Sequence, residues 1–136
     1  MDERYKEKIK EIQNFLEELH DMLPFSLEEY CSNLKTKAAC ERYFEKIVEA
    51  TVDLAFLIIK NNLLPVPEDD KQAFDILTDK NIITTELAER LKDAKGMRNV
   101  LIHQYGVIDD EKVFHAVKEE LEKDILEFLK AVENNI

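Results

Sequence analysis

The sequence predicts an all-α fold, an up-and-down bundle of about five helices in a single domain over residues 1–136. Only 2 Gly and 3 Pro occur in 136 residues, which is too few for the turns of a sheet protein. Hydrophobic residues make up 45% of the chain and recur at alternating three- and four-residue steps, the period of an amphipathic helix. Charged residues, 36% of the chain, fill the remaining faces, so each helix keeps one side for a shared core.

The first helix is predicted from one apolar stripe that ends before Pro24. The stripe consists of Tyr5, Ile9, Ile12, Leu16, Leu19 and Leu23. Pro24 ends or kinks this helix because proline lacks a backbone N–H. Residues 25–34 then predict a further short helical piece.

A second long helix is predicted from about Lys37 to Asn62. Residues 47–59 of this helix are apolar on nearly every side, which is typical of a helix buried centrally or at a subunit contact. Asp53 lies inside this stretch. Either its carboxylate lies at the edge of the buried face and is hydrogen-bonded by a neighbouring side chain or water, or it orients a catalytic arginine or histidine.

A loop and a short helix follow. Pro65 and Pro67 cannot continue a helix, so the segment around them predicts a loop. Residues 68–78 predict a short helix with acidic residues in its first turn, where the helix dipole favours them. Residues 80–81 predict the turn that follows.

Two helices complete the bundle. Thr84 and Thr85 mark the start of the first, which is expected to end at Gly106. Asp109 or Asp110 is expected to cap the second. The apolar stripe of this last helix consists of Val113, Val117, Leu121, Ile125, Phe128 and Val132.

The charge balance restricts how nucleic acid could be bound. The formal net charge is −11, whereas proteins that hold nucleic acid by bulk electrostatics are usually basic. RNA would therefore have to be held at a local site or with charge supplied by a partner.

The remaining composition predicts a soluble cytoplasmic protein that makes no use of a membrane, a metal or another cofactor. The N-terminus is charged and lacks the apolar core of a signal peptide, so Cys31 and Cys40 are expected to be free thiols. The longest apolar run, residues 54–59, is too short to span a membrane. The His, Cys, Asp and Glu residues show no metal-site spacing.

Arg98 is the unusual residue of the fourth long helix. The apolar stripe of that helix consists of Leu87, Leu91, Ala94, Leu101 and Tyr105. At about 100° per residue, Arg98 falls within this stripe, so it should meet a carboxylate, a phosphate or a subunit cleft. Asn99 and His103 are one turn apart and share a face beside it.

These side chains allow two interpretations. Cleavage of RNA through the ribose 2′-hydroxyl needs a proton carrier such as His103 and a phosphate holder such as Arg98. Alternatively, both are cations that stabilise a helix C-terminus. Their spacing places them about 140° apart on a straight helix, so two helices related by a two-fold axis would be needed to build one cleft.

The segment Arg98-Asn99-Val100-Leu101-Ile102-His103-Gln104-Tyr105 resembles the RX4HXY motif of HepT-like ribonuclease toxins in the HEPN superfamily. The similarity covers roughly the last two-thirds of the chain. Further similar segments are residues 42–59, 72–77, 85–95 and 105–109.

The resemblance implies a HEPN-like bundle that forms a two-fold dimer, with the catalytic residues Arg98 and His103 of both subunits in one cleft. It implies an endoribonuclease that acts without a metal on RNA, either tRNA or mRNA, as the toxin of a type VII toxin–antitoxin system. Its cognate minimal nucleotidyltransferase antitoxin would silence it by adding AMP to Tyr105. Asn99 and Asp53 match supporting positions.

The sequence is also compatible with a second function. The chain could be a non-catalytic helical module that binds a nucleotide or another small ligand and partners a nucleotidyltransferase. The acidic charge favours this alternative, because nothing outside the motif resembles an RNA-binding patch. His20 and His115 are expected to be surface residues outside the site.

Overall fold

The computed structural model describes residues 1–103 and 107–136, and the regular structure of these residues is entirely helical. The helices are α1 (Glu3–Met22), α2 (Leu27–Ser32), α3 (Leu34–Asn61), α4 (Asp70–Asp79), α5 (Thr85–His103), α6 (Asp110–His115) and α7 (Glu122–Asn135). A π-helical segment, Ala116–Leu121, joins α6 to α7 without a break. The predicted all-α class is confirmed, and the predicted helix end at Gly106 lies outside the described residues.

The central helix of the bundle is α3. It packs against α1, α2, α4, α5 and the π-helical segment. Phe44, Ile47, Leu54 and Ile58 are among its fully buried side chains. The apolar surface on nearly every side of α3 therefore reflects a central position within one chain.

Side-chain caps set where several helices begin. The Asp109 carboxylate accepts from the Lys112 N–H at 3.2 Å, which confirms the predicted cap of the last helix. Asn33 Oδ1 accepts from the Thr36 N–H at 3.0 Å. α3 therefore begins at Leu34, three residues before the predicted start at Lys37, because the cap that fixes its first turn is Asn33.

Three neighbouring helices hold α5 in place. It packs against α3, α4 and α7. Arg90 of α5 reaches Asp124 at 2.6 Å and Glu127 at 2.8 Å, which ties α5 to α7. α5 is therefore fixed on its inner side, and its last turns present side chains outward.

Cys31 is exposed, Cys40 is buried and both are free thiols, as predicted. In the described ranges, we find no helix that combines the length and the apolar character needed to cross a membrane.

Candidate catalytic site at the end of α5

Arg98 meets a carboxylate, one of the three partners expected from its place in the apolar stripe of α5. Its side chain is only 16% exposed, and its Nη2 lies 3.4 Å from Oε2 of Glu49 on α3. Its Nε is buried and has no hydrogen-bond acceptor within residues 1–103 and 107–136. An N–H left in this state costs about 1–3 kcal/mol. The guanidinium carries four further N–H groups on Nη1 and Nη2, and these are the donors that a phosphate oxygen on another molecule would approach.

Asn99 is held by a residue that the sequence interpretation missed. Oδ1 of Asn99 accepts a hydrogen bond from Nζ of Lys95 at 2.8 Å. Lys95 also lies 3.1 Å from Oδ2 of Asp70, the first residue of α4, and its own side chain is only 9% exposed. The site thus contains two largely buried cations, each paired with one carboxylate.

His103 is the last described residue of α5, and it is exposed. It follows Asn99 by one helical turn, so the two side chains leave the same face of the helix. Arg98 is mostly buried whereas His103 is not, in keeping with the angle of about 140° between them. Tyr105, the predicted site of AMP addition, lies outside the described residues.

Asp53 makes a different contact from the one that a supporting role suggests. Its Oδ2 lies 3.8 Å from Nζ of Lys8, and its side chain is 56% exposed. Partial desolvation raises the pKa of the Asp53 carboxyl; Lys8 lowers it, and the Glu49 carboxylate raises it further. The carboxylate that reaches Arg98 is Glu49, one turn earlier on α3, so the supporting role of Asp53 stays a prediction.

Apolar side chains surround the motif at the surface. Val100 is 38% exposed, Ile102 is 41% exposed and Val107 is 98% exposed. Val100 and Val107 also line a groove of about 710 Å³ that opens between α5, α6 and the π-helical segment. The end of α5 therefore carries uncovered apolar surface as well as polar groups.

The other two histidines lie elsewhere, as predicted. The side chain of His20 is 70% exposed and faces Glu122. The side chain of His115 is 65% exposed and faces Glu120. Neither belongs to the group at the end of α5.

Lys95 could have been found from the sequence by the same angular argument as Arg98. It lies only about 60° from Arg98 on the helix and four residues before Asn99. The pairing of Lys95 with Asp70 and that of Arg98 with Glu49 could not have been found from the sequence. Both pairings depend on how α4 and α3 pack against α5.

Comparison with known proteins identifies the family. The model of the family described as ribonuclease HepT-like matches residues 7–132. The chain belongs to the HepT-like ribonuclease family. This HepT-like chain is 34% identical to a candidate RNase of Archaeoglobus fulgidus over 134 residues, 97% of this chain and 92% of that protein. It is 29% identical to a tRNA nuclease HepT of Aphanizomenon flos-aquae over 110 residues, 81% of this chain and 75% of that one.

A solved structure shows the same fold. The HEPN toxin of Shewanella oneidensis, tri-AMPylated and in complex with its MNT antitoxin, superposes on the HepT-like chain with a TM-score of 0.92. The match covers 99% of this chain and 100% of that one, at 23% sequence identity. The predicted HEPN-like bundle is confirmed.

Proposed function

We propose that this HepT-like protein is the toxin of a toxin–antitoxin pair and cleaves RNA at a cleft between two copies of the chain. The observation that carries the proposal is Arg98, a largely buried guanidinium that lies 3.4 Å from Glu49, on the same helix end as an exposed His103. Family membership and the relatives named as RNA-cleaving enzymes support it.

The chemistry assigned to these residues needs no metal. His103 takes the proton from a ribose 2′-hydroxyl, whose oxygen then bonds to the adjacent phosphorus. The bond to the 5′-oxygen of the next nucleotide breaks, and that oxygen receives a proton from an imidazolium. Arg98 stabilises the extra negative charge on the phosphate through its planar fork. The products are a 2′,3′-cyclic phosphate and a 5′-hydroxyl end.

A second copy of the chain completes the cleft. Arg98 and His103 of one chain point about 140° apart, so one phosphate is better reached by the arginine of one copy and the histidine of the other. The exposed Val100 and Ile102 on the same turns provide apolar surface that a two-fold contact would bury. Asn99 and Asp53 are assigned supporting roles at this cleft.

The partner that silences the toxin is a minimal nucleotidyltransferase antitoxin. The tri-AMPylated Shewanella toxin was solved with an MNT antitoxin, which supports this assignment. In this chain we assign the modification to Tyr105, the tyrosine of the motif. Each AMP added there places a phosphate charge two residues after His103 and so repels the RNA backbone.

The proposal is tested by cleavage of RNA by purified protein in the presence of EDTA. Arg98→Ala and His103→Ala are each expected to lower the cleavage rate at least 100-fold, the usual range for loss of a general base or a charge-stabilising donor. His115→Ala is the matched control and should cleave normally. Mixed dimers that carry Arg98→Ala in one subunit and His103→Ala in the other should recover part of the activity.

Each outcome of that experiment has a defined meaning. Wild-type cleavage by the His103→Ala protein would refute the mechanism, and loss of all activity in EDTA would refute its metal independence. Co-expression with the antitoxin should add AMP masses to the wild-type chain and none to Tyr105→Phe. Equal mass gains in both proteins would place the modification elsewhere.

A second candidate function is that of a non-catalytic module that binds a nucleotide or another small ligand in the groove of about 710 Å³ beside α5. The net charge of −11 favours it, because this charge opposes RNA binding. In that case the wild-type dimer would fail to cleave any RNA, and calorimetry would detect nucleotide binding that the Arg98→Ala variant retains.

A further inference from the structure

Lys95 occupies a place in α5 where an apolar residue would be expected. Its side chain is 9% exposed, less than that of Arg98 at 16%. Burying an ammonium group is unfavourable unless carboxylates and hydrogen bonds compensate for the lost water. Asp70 at 3.1 Å supplies the opposite charge and Asn99 at 2.8 Å supplies an acceptor. A buried lysine with two dedicated partners therefore lies one turn away from the proposed catalytic pair.

The contact with Lys95 determines how the Asn99 carboxamide is oriented. An ammonium group can only donate hydrogen bonds, so it selects the oxygen of the carboxamide and excludes the NH2 group. With Oδ1 facing Lys95, the NH2 group must face another direction. Asn99 shares a helix face with His103, one turn later, so its two N–H donors are presented beside the exposed imidazole.

Asp70 keeps Lys95 in place from outside the helix. It is the first residue of α4, and its carboxylate is 40% exposed while the ammonium group that it pairs with is almost covered. The chain Asp70–Lys95–Asn99 therefore links the start of α4 to the outer face of α5. Arg98 has its own carboxylate, Glu49, so the two cations are held independently.

We propose that Lys95 is a positioning residue of the cleavage site, which fixes Asn99 so that its NH2 group donates to an oxygen of the bound RNA phosphate. This inference rests on the proposed ribonuclease function. Lys95 itself does not touch the RNA. Its contribution passes entirely through Asn99, and this dependence separates it from a residue that only stabilises the fold.

The experiment is a double-mutant cycle between Lys95 and Asn99, read out as kcat and KM for RNA cleavage. Lys95→Met keeps the length of the side chain and removes all donors. It is expected to raise KM about tenfold, the effect of losing one hydrogen bond to a charged group, with a smaller change in kcat. In the Asn99→Ala background the same substitution should change KM less than twofold, because coupled residues do not act additively.

Two controls keep the test independent of folding. Lys92→Met removes another lysine of α5, paired with Asp75 at 2.7 Å and Glu89 at 3.1 Å, and should leave KM unchanged. Lys95→Gln retains an N–H donor for Oδ1 of Asn99 and should recover part of the loss. Thermal unfolding of each variant reports whether the bundle is intact, and Lys95→Leu, which likewise has no donor, replaces Lys95→Met if the latter fails to fold.

The outcomes separate this inference from the function on which it rests. If the wild-type dimer cleaves RNA and Lys95→Met raises KM equally with and without Asn99, the positioning role is refuted while the ribonuclease stands. If the wild-type dimer cleaves no RNA, the proposed function fails, and the role of Lys95 fails with it.

Discussion

Glu41 illustrates how a single carboxyl group can oppose folding near neutral pH. Burial raises the pKa of Glu41 above its usual value; Lys37 lowers it, and the Asp110 and Glu45 carboxylates raise it again. Lys37 is already committed to Asp110, at 2.8 Å, in the contact that joins the start of α3 to the start of α6. Glu41 therefore lies beside Lys37, whose positive charge is already largely neutralised by Asp110.

We expect Glu41→Gln to raise the free energy of unfolding at pH 7 and to have no such effect below about pH 4. A carboxyl whose pKa is raised by folding binds its proton more tightly in the folded state. Its ionisation therefore costs stability once the pH exceeds the folded-state pKa, and nothing when both states are protonated. Urea unfolding of both proteins at several pH values measures this. A gain that persists at pH 3 would contradict the electrostatic explanation.

At the scale of single residues, the sequence predicted that Arg98 meets a carboxylate, a phosphate or a subunit cleft, and that Asp109 or Asp110 caps a helix, because both follow from positions along one helix. In the structure Arg98 meets the Glu49 carboxylate and Asp109 is the cap. It did not predict Lys95 as part of the site. The partner of Lys95, Asp70, lies on another helix, and only the packing of α4 against α5 brings the two together. Local periodicity carries no information on such a pairing.

At the scale of elements, the last helix is not α-helical throughout, although its apolar stripe predicts a regular α-helix. Val113, Val117, Leu121 and Ile125 are separated by three successive steps of four residues. Each step overshoots one turn of an α-helix by about 40°, so the stripe would wind away from the core. The π-helical segment Ala116–Leu121 has wider turns that hold more residues, and these four side chains are all buried.

This account predicts that one residue can be removed from the π-helical segment. Deleting Glu119, which is exposed, turns the steps of the stripe into four, three and four, which suits an α-helix. The protein should stay folded, with a loss of no more than about 1 kcal/mol. Deleting the exposed Lys10 from α1 is the matched control. It shortens the step from Ile9 to Ile12 from three residues to two, which no helix accommodates on one face, so this variant should unfold. Circular dichroism during heating distinguishes the two, and equal losses would contradict the account.

The same comparison shows how much of the fold the sequence could predict. The stripes of α1 and α5 identified these helices because each buries one face against the bundle, and α3 was identified from its long apolar stretch, which is buried at the centre. The π-helical segment was not predicted, since a stripe with extra four-residue steps is also compatible with a slightly rotated α-helix. α2 and α3 are separate helices because Asn33 lies between them and caps the start of α3. Asn33 was not predicted as a cap from the sequence.

At the scale of the whole molecule, the acidic charge and the proposed RNA-cleaving site have to be reconciled. The net charge is −11, and the site itself contains the carboxylates Glu49 and Asp70 beside its two buried cations. Most of the surface therefore repels RNA. Affinity has to come from the few donors that remain open at the end of α5, chiefly Arg98 of each copy.

This reasoning predicts a weak dependence of RNA binding on salt. Each phosphate neutralised on single-stranded nucleic acid contributes about −0.7 to the slope of log K against log salt concentration. Two arginines, one from each copy of the chain, therefore give a slope of about −1.4. Fluorescence anisotropy with the His103→Ala protein, which should bind without cleaving, measures the slope directly. We expect Arg98→Ala in that background to bring the slope close to zero, whereas a slope steeper than about −4 would require an extended basic surface. We would assign such a surface to a partner, because the 30 Asp and Glu residues of this chain outnumber its 19 Lys and Arg residues.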